Sequence, residues 1–128
     1  MNALRQAMVV EDVALVAADL ANIVTDLTTE AVLTAPTLAR ARQALDDSGI
    51  DLALLDVSLP DGDVFEIADT LLYRHIPYVF VTARNRAEIP VRHRGAPFVN
   101  KPFNESRIRI AILEAVADSV RREGRHRH

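Results

Sequence analysis

The chain has no cysteine and a single lysine among its 15 Lys and Arg residues. It also lacks any apolar run approaching the roughly 18 residues that would cross a bilayer. Without cysteine there are no disulfides, thiolate metal ligands or cysteine nucleophiles, and thiol usage says nothing of the redox compartment. The start, MNALRQA, has no apolar core of a secretory signal. The net charge of −3 is spread along the chain. It leaves no basic face for nucleic acid and no polyacidic tail. A cytoplasmic protein with no nucleic-acid or membrane partner is expected. The 128 residues suit one domain with a substantial core.

The stretch IDLALLDVSLPDG, residues 50–62, organises the rest. An apolar run over residues 52–55 suits a strand buried on both faces, and Asp56 arrives where that run must surface. Leu59, Pro60, Asp61 and Gly62 then supply turn chemistry. Asp56 is thus expected at the carboxyl end of a central strand, where open α/β sheets bind ligands. An N-cap or turn aspartate would look the same in this stretch alone.

Taken in order, residues 7–10 form a strand ending in Glu11 and Asp12. Residues 13–27 show helical spacing of apolar side chains, with Asp12 as the expected cap and Leu15 on the polar side. A strand at 30–35 precedes a helix opened by Pro36 and Thr37 and running to about 46, closed by the turn Asp47, Ser48, Gly49. After Asp56 come a helix over 64–74 and a buried strand over 78–81 that ends at Thr82 and Ala83. Residues 84–95 should hold the next helix, but Pro90 interrupts them and few apolar positions anchor them, so a short, irregular and mobile element is expected. A strand at 96–100 ends at Lys101 and Pro102, and Asn104 caps a last helix to about 122. Five alternations without a hairpin imply a doubly wound parallel sheet that gathers its strand ends on one edge.

On that edge lie Glu11, Asp12, Asp56, Thr82 and Lys101. Crowded carboxylates hold protons unless a cation joins them, and oxygen ligands without His or Cys suit a hard ion such as Mg²⁺. A magnesium site usually means phosphate. The only lysine falls here, and a compact ammonium suits a site that pairs first with carboxylates and then with a phosphoryl group.

With VVED at 9–12, LLDVSLPDG at 54–62, VTA at 81–83 and NKPF at 100–103, the chain resembles a receiver domain of the two-component response-regulator family. The resemblance implies a flavodoxin-like five-stranded sheet of order 2-1-3-4-5, with a receiver domain over 1–122 and a frayed basic tail over 123–128. It implies that Asp56 is the phospho-acceptor and that Asp12, Asp56 and the Ser58 carbonyl hold Mg²⁺, with Glu11 acting through water. Thr82 and Lys101 would contact the phosphoryl oxygens, a cis peptide would precede Pro102, and Thr82 with Phe98 would form the switch. Phe98 stands where the family often has Tyr or Phe three residues before the lysine. Arg84 and Ser58 occupy positions that tune phosphoryl lifetime in the family.

A stand-alone phosphorylation switch without an output enzyme is expected, served by a histidine kinase or histidine phosphotransfer protein and acting on a downstream protein. Two alternatives are a pseudo-receiver scaffold and a phosphatase passing through an aspartyl-phosphate. The intact acids, threonine and lysine argue against the first, and Ser58, where such phosphatases usually carry a second acid, against the second. The last helix carries two apolar stripes. Ile108, Ile112, Ala115, Val116 and Ser119 should face the core, and Ile110, Leu113, Ala117 and Val120 should offer a surface to a partner or a second copy.

Overall fold

The computed structural model describes the backbone of residues 4–126 and the side chains of residues 4–122. The central strands are apolar up to their site-facing ends because both sheet faces are covered, and their side chains alternate between two cores. Strand β1 (Ala7–Val10) sends Met8 and Val10 to one core and Ala7 and Val9 to the other. Strands β2 (Leu33–Ala35), β3 (Leu52–Leu55), β4 (Tyr78–Thr82) and β5 (Phe98–Asn100) complete a parallel sheet of order β2-β1-β3-β4-β5. This is the expected order. Helices α1 (Ala14–Thr25) and α4 (Glu105–His126) cover one face, through Leu20, Val24, Ile108 and Ile112. Helices α2 (Leu38–Asp47) and α3 (Phe65–Tyr73) cover the other, through Ala41, Leu45, Ile67 and Leu71.

Local chemistry explains most boundaries. Thr37 caps α2 by accepting from the Arg40 N–H at 3.1 Å, and Asn104 caps α4 by accepting from the Arg107 N–H at 2.9 Å. Helix α3 ends with His75 at φ 60, and the N–H groups of His75 and Ile76 donate to the Leu72 and Leu71 carbonyls at 3.2 and 2.9 Å. That is a Schellman ending with histidine where glycine is usual. The Ser119 hydroxyl of α4 donates to the His75 carbonyl at 2.7 Å.

Several expectations need correction. Asp12 does not cap α1: the N-cap is Val13, with no side-chain cap, and the Val13 N–H donates instead to Glu11 Oε2 at 3.0 Å. The expected absence of hairpins also fails, because Ser58–Leu59 and Gly62–Asp63 pair as a small antiparallel ribbon. Its turn requires Gly62, which sits at φ 138 where a Cβ would lie 3.2 Å from Leu38 Cδ1. Helix α4 continues to His126 rather than ending near 122, so the expected tail begins as helix; residues 127–128 lie outside the described residues.

Between β4 and β5 the chain forms two 3-10 turns, Arg86–Glu88 and Val91–His93, on either side of Pro90. The expected irregular element is present, yet it has anchors that the apolar pattern understated. Ile89 and His93 are both buried.

The hairpin also reaches back along the chain. Asp61 accepts from the Leu38 and Ala39 N–H groups at 2.9 and 3.2 Å, so the first turn of α2 is capped from a loop that follows β3. The Leu38 amide is the main cause holding the Asp61 carboxyl below its usual value. A carboxyl depressed in the folded state stabilises it above the unfolded value near 3.9, and that contribution is lost as pH falls through the folded value. Asp61→Asn should therefore lower Tm at neutral pH and flatten the decline of Tm below about pH 5, read by circular dichroism melts. Identical Tm profiles for both proteins would show that the cap contributes nothing.

Candidate functional site

Parallel pairing delivers three strand ends to one edge. The Glu11 N–H donates to the Ala35 carbonyl at 3.0 Å and the Asp56 N–H to the Val10 carbonyl at 2.9 Å, so each acid is placed by the last ladder bond of its strand. The Lys101 N–H likewise donates to the Thr82 carbonyl at 3.0 Å. Glu11, Asp12 and Asp56 each offer a carboxylate oxygen within 4.8 Å of the others. Glu11 is buried, Asp56 is 9% exposed and Asp12 is exposed at the rim.

Lys101 binds this cluster. Its ammonium donates to Asp56 Oδ2 at 2.9 Å and also to Glu11 Oε1. The peptide between Lys101 and Pro102 is cis, as expected. Burial works against the Lys101 charge, but the hydrogen bonds to Glu11 and Asp56 outweigh it and hold the ammonium above its usual value. Burial pushes the Glu11 carboxyl up, against the pull of Lys101 and of the Val13 N–H, and the Asp56 charge adds to the rise. The Lys101 ammonium thus pairs with Glu11 and Asp56 in a cluster of three carboxylates, so the formal count leaves a deficit of positive charge in a partly dry site. The donor set is all oxygen, and it fits a hard divalent cation of the Mg²⁺ type.

Thr82 is buried at the end of β4, and its Oγ1 accepts from the Arg84 N–H at 3.2 Å. That bond fixes the oxygen and leaves the hydroxyl its own proton to donate. Ser58 is exposed, and its Oγ lies 2.6 Å from Arg84 Nη1. The same guanidinium donates to Glu88 Oε1 from Nε at 2.9 Å and from Nη2 at 2.5 Å. Arg84 therefore ties the β3–α3 hairpin to the first 3-10 turn, a link for which neighbouring residues gave no signal. Phe98 is half-buried on β5 and packs against one core, with the Arg86 guanidinium 5.9 Å from its ring centroid.

A profile of the response regulator receiver domain matches residues 7–113. The chain belongs to that family. Over 71 residues it is 42% identical to the swarming motility regulation protein RssB of Serratia marcescens, a match covering 52% of this chain and 32% of that protein. The solution structure of SdrG from Sphingomonas melonis Fr1 is 34% identical and covers 91% of this chain and 99% of its own, with a TM-score of 0.77. The crystal structure of the response regulator PhyR from Brucella abortus is 26% identical and covers 99% of this chain but 55% of its own, also at 0.77. The chain thus spans about a third of the curated relative it matches.

Lys101→Met removes the one ammonium and leaves Glu11 and Asp56 facing each other. Losing one partner of a fully buried pair costs about 3–5 kcal/mol, and partial exposure of Lys101 brings the expected loss to about 2 kcal/mol. Chemical denaturation without divalent ions measures it. Added Mg²⁺ should stabilise the variant more than the wild type, and an equal response in both would contradict the charge deficit.

Proposed function

We propose that the chain is a phosphorylation switch of a two-component or phosphorelay system, with Asp56 as its phospho-acceptor. The observation that carries this reading is Asp56 itself, at the end of the central strand, within reach of Glu11, Asp12 and the Lys101 ammonium. In the proposed reaction a carboxylate oxygen of Asp56 attacks phosphorus. A P–O bond forms to the aspartate as the P–N bond to the donor imidazole breaks, and the histidine leaves with the electron pair and takes up a proton. The transition state is loose and its charge lies on the phosphoryl oxygens, so the chain's task is positioning and neutralisation. Lys101 exchanges a carboxylate for a phosphoryl oxygen, and the Thr82 hydroxyl donates to another. The Asp12 and Asp56 carboxylates and the Ser58 carbonyl would hold Mg²⁺, with Glu11 acting through water. When bound, the ion supplies the positive charge that Lys101 alone does not.

The donor is proposed to be a histidine kinase or histidine phosphotransfer protein. Thr82 moving toward the phosphoryl group, with Phe98 turning inward, would carry the change to the 84–95 segment and to a downstream protein. Incubation with Mg²⁺ and a small phosphodonor, followed by intact mass, should show a gain of one phosphoryl group that Asp56→Asn abolishes. No gain in the wild type, or an equal gain in the variant, would refute the assignment.

A second surface bears on partners. Ile110, Leu113 and Val120 are 53%, 68% and 63% exposed along α4, with Ala117 exposed on the same face, while Ile108, Ile112, Ala115 and Ser119 are buried. The proposed occupant of this apolar stripe is a second copy packed across a two-fold axis, which would bring Ile110 and Leu113 near their mates. Leu113→Glu should leave the fold and Asp56 phosphorylation intact and shift sedimentation toward monomer. A wild type that sediments as monomer with and without phosphorylation would count against the dimer.

A further inference from the structure

The segment between β4 and β5 is held by a buried histidine that the phosphorylation chemistry does not use. His93, 1% exposed, closes the second 3-10 turn among Phe65 of α3 and Tyr78 and Phe80 of β4, with ring centroids 6.3, 5.7 and 6.2 Å away. Both ring nitrogens are engaged. Nδ1 lies 2.7 Å from the Tyr78 hydroxyl, and Nε2 lies 2.6 Å from Asp69 Oδ1 on α3. Asp69 also accepts from Arg92, from Nε to Oδ1 at 2.6 Å and from Nη2 to Oδ2 at 3.1 Å.

The donors and acceptors assign the tautomer. Arg92, foremost, and His93 hold the Asp69 carboxyl below its usual value, and an ionised carboxylate only accepts. Nε2 therefore carries the hydrogen, Nδ1 is the acceptor, and the Tyr78 O–H donates to it. Burial pushes the Tyr78 hydroxyl up to about 12, so it keeps that proton. A second proton on the imidazole would set the Nδ1–H against the Tyr78 O–H and place a charge among three aromatic rings in a slot only 1% exposed.

The surrounding charges do not rescue that proton. Asp69 attracts it, but its own charge is already paired with Arg92, whose guanidinium repels an imidazolium. Asp63 of the ribbon acts on Arg92, and Arg122 of α4 acts on Tyr78 as a further positive charge. Burial, opposed by Asp69, leaves His93 below its usual value.

We infer that His93 is a proton-operated latch: neutral, it fastens the 84–95 segment to α3 through Asp69 and Tyr78, and protonated, it leaves its slot and releases that segment. The latch goes beyond the phosphorylation reading and does not depend on Asp56. Because the folded value lies below the unfolded one of about 6.5, the folded state binds fewer protons in between. The stabilisation is complete above about pH 6.5 and declines as pH falls toward the folded value.

Hydrogen exchange on the full chain, without Mg²⁺ or phosphodonor and corrected for intrinsic rates, tests this. Between about pH 7.5 and about pH 5, protection over residues 86–94 should fall about tenfold while that of α1 holds, and His93→Gln should abolish the difference. Unchanged protection in the wild type, or the same pH-dependent loss in His93→Gln, would overturn the latch. Should that variant not fold, the wild-type imidazole ¹⁵N shifts decide. An Nε2–H tautomer titrating below the usual histidine range supports the latch, and an Nδ1–H tautomer or an ordinary titration refutes it. Because no phosphoryl group is present, failure of the phosphorylation reading would leave these results standing.

Discussion

Three carboxylates are forced to share a volume 4.8 Å across, with one ammonium among them. That electrostatic constraint organises the molecule. It can be met only if the ends of β1, β3 and β5 arrive together, which a parallel sheet does by placing every strand end on one edge. The ladder bonds at Glu11, Asp56 and Lys101 fix the placement, and the strands before Glu11 and Asp56 are buried on both faces. The site is held by the two hydrophobic cores, and its excess of carboxylate over ammonium charge is what a hard divalent cation would balance.

The elements that carry the site were legible because their signals are local. The run Leu52 to Leu55 followed by Asp56 announces a buried strand that must surface at an acid, and the sole lysine stands one residue past the end of β5. The cap at Asn104 was equally plain, since it bonds an amide three residues on, while Thr37, read as opening α2, proves to be its cap. What escaped the sequence depends on long-range pairing. Asp12 has the right type and place to cap α1, but its carboxylate joins Glu11 and Asp56, and the helix opens on Val13. Asp61 looks like turn chemistry, and nothing near it says that it caps a helix begun more than twenty residues earlier. The ribbon around it rests on two short pairings, below the length at which alternation can be read.

The segment after Thr82 shows the same limit from the other side. Its sequence, RNRAEIPVRHR, reads as polar and broken by proline, yet Ile89 and His93 are buried and its arginines serve as internal ties. Arg94 donates to the Ile89 and Ala87 carbonyls at 2.9 and 3.2 Å, and Arg86 donates to the Arg94 carbonyl at 3.2 Å. These bonds satisfy carbonyls that a regular helix would have paired internally. Arg84 joins the first turn to Ser58 beside the acids, and His93 joins the second to Asp69 on α3. The segment is therefore tied through its first turn to Ser58, two residues beyond Asp56, and through its second to Asp69 on α3.

Titration of the protein with Mg²⁺, followed by backbone amide shifts, tests the central claim most directly. The account predicts saturable shifts confined to the residues around Asp12, Asp56 and Ser58, weakened in Asp12→Ala and competing with no other part of the surface. Shifts that fail to saturate, or that persist unchanged in Asp12→Ala, would contradict a carboxylate cluster whose missing charge is supplied by a cation.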